Sequence, residues 1–149
     1  MISQTAEYAL RAVVFLARQN DTPVTRIRIS EEAMVSPDYL TRVMQLLADN
    51  GIVTIKRGPG GGYMLAPPKE RLTVLDVISS VETLPRINQC PLGISEHQSL
   101  CPLHAKLDEA TALVEQAFQD TLILDLITPP DTLPRAGKTG PCSFPPEHT

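Results

Sequence analysis

Long apolar runs are missing from this 149-residue chain: the longest, such as residues 12–17, fall far short of the roughly 20 residues that cross a bilayer. No basic stretch followed by an apolar core opens it either, so neither a membrane span nor a secretion signal is expected, and a soluble, cytoplasmic protein is. Cysteine is scarce and odd in number, three in all. In a reducing compartment three thiols have no disulfide framework to serve, which turns attention to metal binding or thiol chemistry. There is no excess of positive charge: 13 Lys+Arg against 17 Asp+Glu leave a net charge of -4. That deficit does not exclude nucleic acid, because attraction to phosphate is local and screened beyond roughly 10 Å at moderate salt. The charge is also uneven, with nine Lys/Arg and seven Asp/Glu through Arg71 but four and ten from Leu72 onward.

The length allows one domain, or a small domain with an arm. Residues 3–19 carry apolar side chains at helical spacing without Pro or Gly, with Tyr8, Leu10, Val13, Val14, Leu16 and Ala17 covering a broad face. Asn20, Asp21, Thr22 and Pro23 end this first helix. Thr25 can cap a short second helix to about Ala33, with Ile27 and Ile29 inward and Arg26 and Arg28 outward. After Met34 and Val35, Ser36 is placed to cap a third helix and Pro37 fits its first turn. Leu40, Val43, Met44, Leu46 and Leu47 repeat at three and four along it, and Asn50-Gly51 supplies a left-handed stop. Two short helices joined by a tight turn follow the helix-turn-helix plan.

The β-branched run 52–56, the basic glycine-rich tip 57–62 and the run 63–66 read as a hairpin, which after a helix-turn-helix is a wing. A fourth helix over 72–81, capped by Thr73, carries Val74, Val77, Ile78 and Val81 on one face. Residues 82–100 lack periodicity and form a long loop. A long helix over 102–126 then carries Leu103, Leu107, Ala110, Leu113, Val114, Ala117, Phe118, Thr121 and Leu124 in a nearly continuous stripe. Such a stripe on a projecting helix most simply pairs with its twin in a homodimer; the alternative is that it folds back on its own core. From Thr128 the chain holds six of its fourteen prolines and is expected to be disordered. The expected fold is mainly α with a small β-hairpin. It divides into a winged helix-turn-helix domain over 1–84, a sensor loop over 85–101, a dimerisation helix over 102–127 and a Pro-rich tail over 128–149.

Double-stranded DNA is the expected partner. Asp38, Tyr39, Thr41 and Arg42 lie in the first turns of the third helix, the part such proteins present to base edges in the major groove. Arg42 can reach guanine with two bonds, while Thr41 and Tyr39 can serve bases or phosphates. Arg57 at the wing tip can enter the minor groove or hold the backbone, with the amides around Gly58 and Gly60 as further phosphate donors. Thr25, Ser36 and Pro37, at the two helix starts, complete the candidate DNA-binding set. The glycines do not make a nucleotide-binding P-loop, since no helix follows them and no Gly-Lys-Ser/Thr is present.

Cys90, His97, Cys101 and His104 form the other constellation. Cys101 and His104 lie three apart at the start of a helix, on one face, and helix starts favour thiolates. Four such ligands suit a tetrahedral zinc site, and two thiolates with other donors suit an iron–sulfur cluster. An enzyme would need a base, an orienting group and a pocket. Asp108, one turn after His104, could orient the imidazole, but nothing indicates the pocket, and no enzymatic activity is expected.

Glu7-Tyr8-Ala9-Leu10-Arg11-Ala12, Val35-Ser36-Pro37-Asp38-Tyr39-Leu40, Asn50-Gly51-Ile52-Val53 and, above all, Arg57-Gly58-Pro59-Gly60-Gly61-Gly62-Tyr63 resemble the winged-helix transcription regulators of the IscR, NsrR and CymR type. The resemblance covers about residues 2–127 and implies an operator-binding regulator. Sensing members of that family hold an iron–sulfur cluster through three cysteines before the long dimerisation helix, and some add a histidine three residues after the last. Cys90 resembles the first of these cysteines, and Cys101 with His104 resembles the last cysteine and the histidine. The middle cysteine is missing, leaving His97 or Glu96 as local substitutes. Some relatives also use an acidic residue of the partner subunit's first helix, a place that Glu7 occupies. The resemblance thus implies a dimeric regulator, a repressor, whose DNA affinity follows an iron–sulfur cluster. A 2Fe–2S cluster is expected ahead of a 4Fe–4S one, with zinc or no metal and a small-molecule effector as the alternative. Cys142 matches nothing in the pattern.

Overall fold

The computed structural model describes residues 1–90 and 99–128. Helix α1 (Gln4–Ala17) starts at Ser3, whose side chain accepts from the Ala6 N–H. Ala6, Ala9 and Ala12 are fully buried along it, and their small side chains let other helices pack close. Helix α2 (Arg26–Ala33) is capped by Thr25, as its position implied. Of its two isoleucines only Ile29 is buried, whereas Ile27 is 63% exposed. Residues two apart lie about 200° apart on a helix and cannot share one face, so the inward placement of Ile27 is corrected.

Met34, in the left-handed conformation, and Val35 turn the chain into helix α3 (Pro37–Asp49). The Ser30 hydroxyl ties this turn by donating to the Val35 carbonyl at 2.5 Å. Ser36 occupies the cap position of α3 but makes no side-chain cap bond; Pro37 in the first turn marks the start instead. Leu40, Val43, Met44 and Leu47 form its fully buried face, with Leu46 only half-buried, and Gly51 closes it at φ +71°.

Strands β1 (Val53–Lys56) and β2 (Gly62–Leu65) pair antiparallel, with Val53 opposite Leu65 and Lys56 opposite Gly62. The wing is tied to the helix-turn-helix by a bridge absent from the hairpin pattern: Val24 N–H donates to the Tyr63 carbonyl at 2.9 Å, and Tyr63 N–H to the Val24 carbonyl at 2.8 Å. This approach explains Gly62, since a Cβ there would lie 2.3 Å from the Val24 carbonyl oxygen. Helix α4 (Val74–Ser79), shorter than the expected 72–81, opens on a capping box between Thr73 and Asp76.

The expected single helix over 102–126 is two. Helix α5 (Pro102–Gln119) ends at Asp120, and helix α6 (Ile123–Ile127) folds back onto the domain. Between them Thr121 and Leu122 run extended beside residues 72–74: Val74 N–H donates to the Thr121 carbonyl at 2.9 Å and Ile123 N–H to the Leu72 carbonyl at 2.8 Å. The Asp125 carboxylate accepts from the Leu122 N–H at 3.0 Å and caps α6. Fold-back on the core therefore holds for this last segment, with Ile123 fully buried. On α5 no residue is buried, and Leu103, Leu107 and Leu113 are 64%, 49% and 68% exposed. No helix among the described residues is long and apolar enough to cross a membrane.

Ile123→Ala should cost about 2–5 kcal/mol of unfolding free energy, as large-to-small changes at closed core sites do. Urea unfolding followed by circular dichroism measures it, and an unchanged midpoint would mean that α6 is not docked as described.

Candidate nucleic-acid interface and metal centre

The third helix presents its first turns outward. Ser36, Pro37, Asp38, Thr41 and Arg42 are exposed, as are Thr25 at the start of α2 and Arg57, Gly58 and Gly60 at the wing tip. Tyr39 differs: half-buried, its hydroxyl lies 2.5 Å from Thr5 Oγ1 and its ring meets that of Tyr8 edge-on at 5.4 Å. Its hydroxyl is engaged with α1 rather than turned outward. The Thr41 hydroxyl is also engaged, donating to the Pro37 carbonyl at 2.9 Å and accepting from Arg26 Nη1 at 2.6 Å. Arg26, read from sequence only as an outward residue, therefore braces the recognition helix from α2. Gly58 and Gly60 adopt φ of +90° and +69°, a turn that favours glycine whatever the tip binds.

At the foot of α5, Cys101 is the N-cap residue and Pro102 fixes the first helical φ. The Cys101 carbonyl accepts from the Ala105 N–H at 2.9 Å, so the first turn carries His104 back over the cap. Cys101 Sγ lies 3.1 Å from His104 Nδ1, and Cys90 Sγ reaches the same nitrogen at 3.6 Å. The three ligand atoms lie within 4.8 Å of one another, each on a half-buried residue. Two soft sulfurs and one imidazole nitrogen in that space are a donor set for zinc or an iron–sulfur centre. Of the other candidate ligands, Glu7 pairs with Arg11 one turn on and is not gathered with the triad within the chain. His97, like Glu96 and Cys142, lies outside the described residues.

Asp108 does not orient His104. Its carboxylate is taken by Arg86, whose Nε and Nη2 each donate at 2.8 Å, and by the Ile87 N–H at 2.9 Å; Arg86 Nη1 reaches Glu115 at 3.0 Å. This fork joins the arm leading to Cys90 with the helix carrying His104. Its sequence signal was present: Arg86 is the only Lys or Arg between residues 72 and 105, and Asp108 and Glu115 stand two turns apart on one helix face.

With this geometry, comparison with known proteins shows that the Rrf2 family, described as iron-dependent transcriptional regulators, matches residues 2–129. The chain belongs to the Rrf2 family. It is a transcriptional regulator with a winged-helix fold, not an enzyme. A protein of Aquifex aeolicus named as an HTH-type transcriptional regulator is 30% identical over 131 residues, spanning 85% of this chain and 91% of its own. IscR of Klebsiella pneumoniae strain 342 is 34% identical over 90 residues, which are 60% of this chain and 55% of that protein. Among solved structures, T. potens IscR superposes with a TM-score of 0.71 at 22% identity, covering 85% of both chains. CymR of B. subtilis gives 0.73 at 22% identity over 85% of this chain and 95% of its own. These two structural likenesses speak to the fold of this Rrf2 chain.

The Arg86 guanidinium, and then the Ile87 N–H, hold the Asp108 carboxyl down at about 2, against an ordinary value of 3.8. A carboxyl lowered on folding adds stability that is present above its unfolded value and lost as pH falls through its folded one. The fork should thus persist through mild acid and open only as pH approaches about 2. Carbon-detected NMR titration of Asp108 should show the low value in the native chain and return toward 3.8 in Arg86→Ala. Titration near 3.8 in both would contradict the fork.

Proposed function

We propose that this Rrf2 chain is a homodimeric, operator-binding repressor whose affinity for double-stranded DNA is set by an iron–sulfur cluster at Cys90, Cys101 and His104. The convergence of two thiols and one imidazole nitrogen within 4.8 Å carries the reading. The fourth ligand in this proposal is Glu7 of the partner subunit or the chain's own His97. Mixed sulfur and imidazole ligation suits a 2Fe–2S centre, for which histidine ligands are known, ahead of a 4Fe–4S one. Bound there, the cluster supplies a redox- and nitric-oxide-sensitive charge whose assembly depends on iron supply.

The chain's own residues offer a route from that centre to DNA. Glu82, at the start of the arm, accepts the Ser3 N–H at the head of α1, with both oxygens at 3.2 Å. Two residues on, Thr5 meets Tyr39 of the recognition helix. A change in the order of the arm therefore bears on the first turn of α1 and, through it, on α3. Leu103, Leu107, Ala110, Leu113 and Ala117 make an exposed apolar stripe on the side of α5 turned away from His104 and Asp108, and a second copy would cover it. Within the dimer the recognition helices would enter successive major grooves, with Arg42 at base edges. Arg57 and the Gly58 and Gly60 amides would lie along the backbone or minor groove, and Thr25, Ser36, Pro37, Asp38 and Thr41 at the helix starts.

One observation favours a second reading, a structural zinc ion. Zinc–sulfur bonds of about 2.3 Å place neighbouring ligands of a tetrahedral ion about 3.8 Å apart, and the triad is compact enough for a single ion. Anaerobic purification with iron, sulfide and zinc analysis separates the two. The cluster reading expects coloured protein with about two irons and two sulfides per protomer. Colourless protein carrying stoichiometric zinc would replace it with the zinc reading.

A further inference from the structure

In the arm over residues 82–90, Leu84 packs against the hydrophobic core; beyond it Arg86 is exposed and Ile87 half-buried. This further stretch is fastened to α5 by four hydrogen bonds that involve Arg86 and the adjoining Ile87 amide. The Ile87 bond matters most for position, because it fixes main chain rather than a flexible side chain, at 2.9 Å from the carboxylate that also takes both arms of the fork. Cys90 lies three residues beyond that anchor, and His104 lies one turn before Asp108 on the same helix. The fastening therefore joins the two halves of the ligand set immediately behind the ligands themselves.

We propose that Arg86 and Asp108 are positioning residues for the Cys90–Cys101–His104 centre: the fork holds the arm on α5 and so sets the local concentration of the Cys90 thiol at the metal. The proposal rests on the reading that this triad binds metal. A ligand on an untethered arm has to be ordered when the metal binds, and that cost is subtracted from affinity; an arm ordered in advance avoids it. Arginine suits the task and lysine does not, because the planar fork meets both carboxylate oxygens at 2.8 Å and still extends a third nitrogen to Glu115. The pair is partly exposed, with side chains 40% and 19% accessible, so its effect on global stability should be small. What it changes is local geometry.

The test is titration of the reduced, metal-free 149-residue chain with cobalt(II), followed by its sulfur-to-cobalt charge-transfer and d–d bands. The native chain should show both. Arg86→Ala and Asp108→Asn should bind cobalt about tenfold more weakly, the scale typical of residues that support metal ligands. Arg86→Lys, which keeps the charge and loses the fork, should remain weak. Metal-free Arg86→Ala should melt within about 3 °C of the native chain, which separates positioning from folding. Because the fork acts through Cys90, adding Arg86→Ala to Cys90→Ser should weaken binding no further. Native affinity in both Arg86→Ala and Asp108→Asn, or an equal loss with and without Cys90, overturns the proposal. If the native chain itself gives no sulfur-to-cobalt band, the metal-binding reading fails and the proposal fails with it.

Discussion

Three donors from one arm converge on the Asp108 carboxylate, two from the Arg86 guanidinium and one from the Ile87 amide. Residues 82–88 run without regular structure toward Cys90, and α5 starts at Cys101, eleven residues later in the sequence. Leu84 packs against the core near the start of this arm. Directional bonds flank that contact: Ser3 to Glu82 at the near end and Arg86 to Asp108 farther along. Because the charged partners are bidentate and reinforced by a backbone donor, the attachment fixes orientation as well as distance.

The same helix shows how one element serves two surfaces. The side of α5 bearing His104, Asp108 and Glu115 meets the arm, while Leu103, Leu107 and Leu113 face outward. The return at Thr121 and Leu122 pins the far end of α5 to residues 72–74, and Ile123 is buried beyond it. Anchored at both ends, α5 can carry a change at its foot without losing its seat on the winged-helix domain. In this Rrf2 chain α1 joins the arm to the third helix, through Ser3 with Glu82 and Thr5 with Tyr39.

Much of this was legible because the signals were local. Thr25 and Thr73 as caps, Pro37 at a helix start and Gly51 at a helix end each reflect backbone groups satisfied within a few residues. The grouping of Cys90, Cys101 and His104 was also readable, since two of the three lie one turn apart. What escaped depended on distant partners. The break at Asp120 lies in a sequence without proline or glycine, and it exists because residues 121–123 pair with residues 72–74. The Val24–Tyr63 bridge and the engagement of Tyr39 by Thr5 are likewise contacts between remote segments. Asp108 was weighed against its helical neighbour His104 when its partner, Arg86, stood twenty-two residues away. The misplacement of Ile27 was of another kind, a helical face too short to fix its own phase.

The central claim is that occupancy of the Cys90–Cys101–His104 centre governs the grip on DNA. It is tested most directly by fluorescence anisotropy of a promoter fragment with anaerobic protein, before and after cluster removal, in the native chain and in Cys101→Ser. Arg42→Ala serves as the control that loses about 1–3 kcal/mol of binding in either state. The account predicts that the native chain's operator affinity changes by about tenfold or more between the two states, within the usual range of coupling between sites, and that Cys101→Ser shows no such change. Equal affinity in both states of the native chain would contradict it.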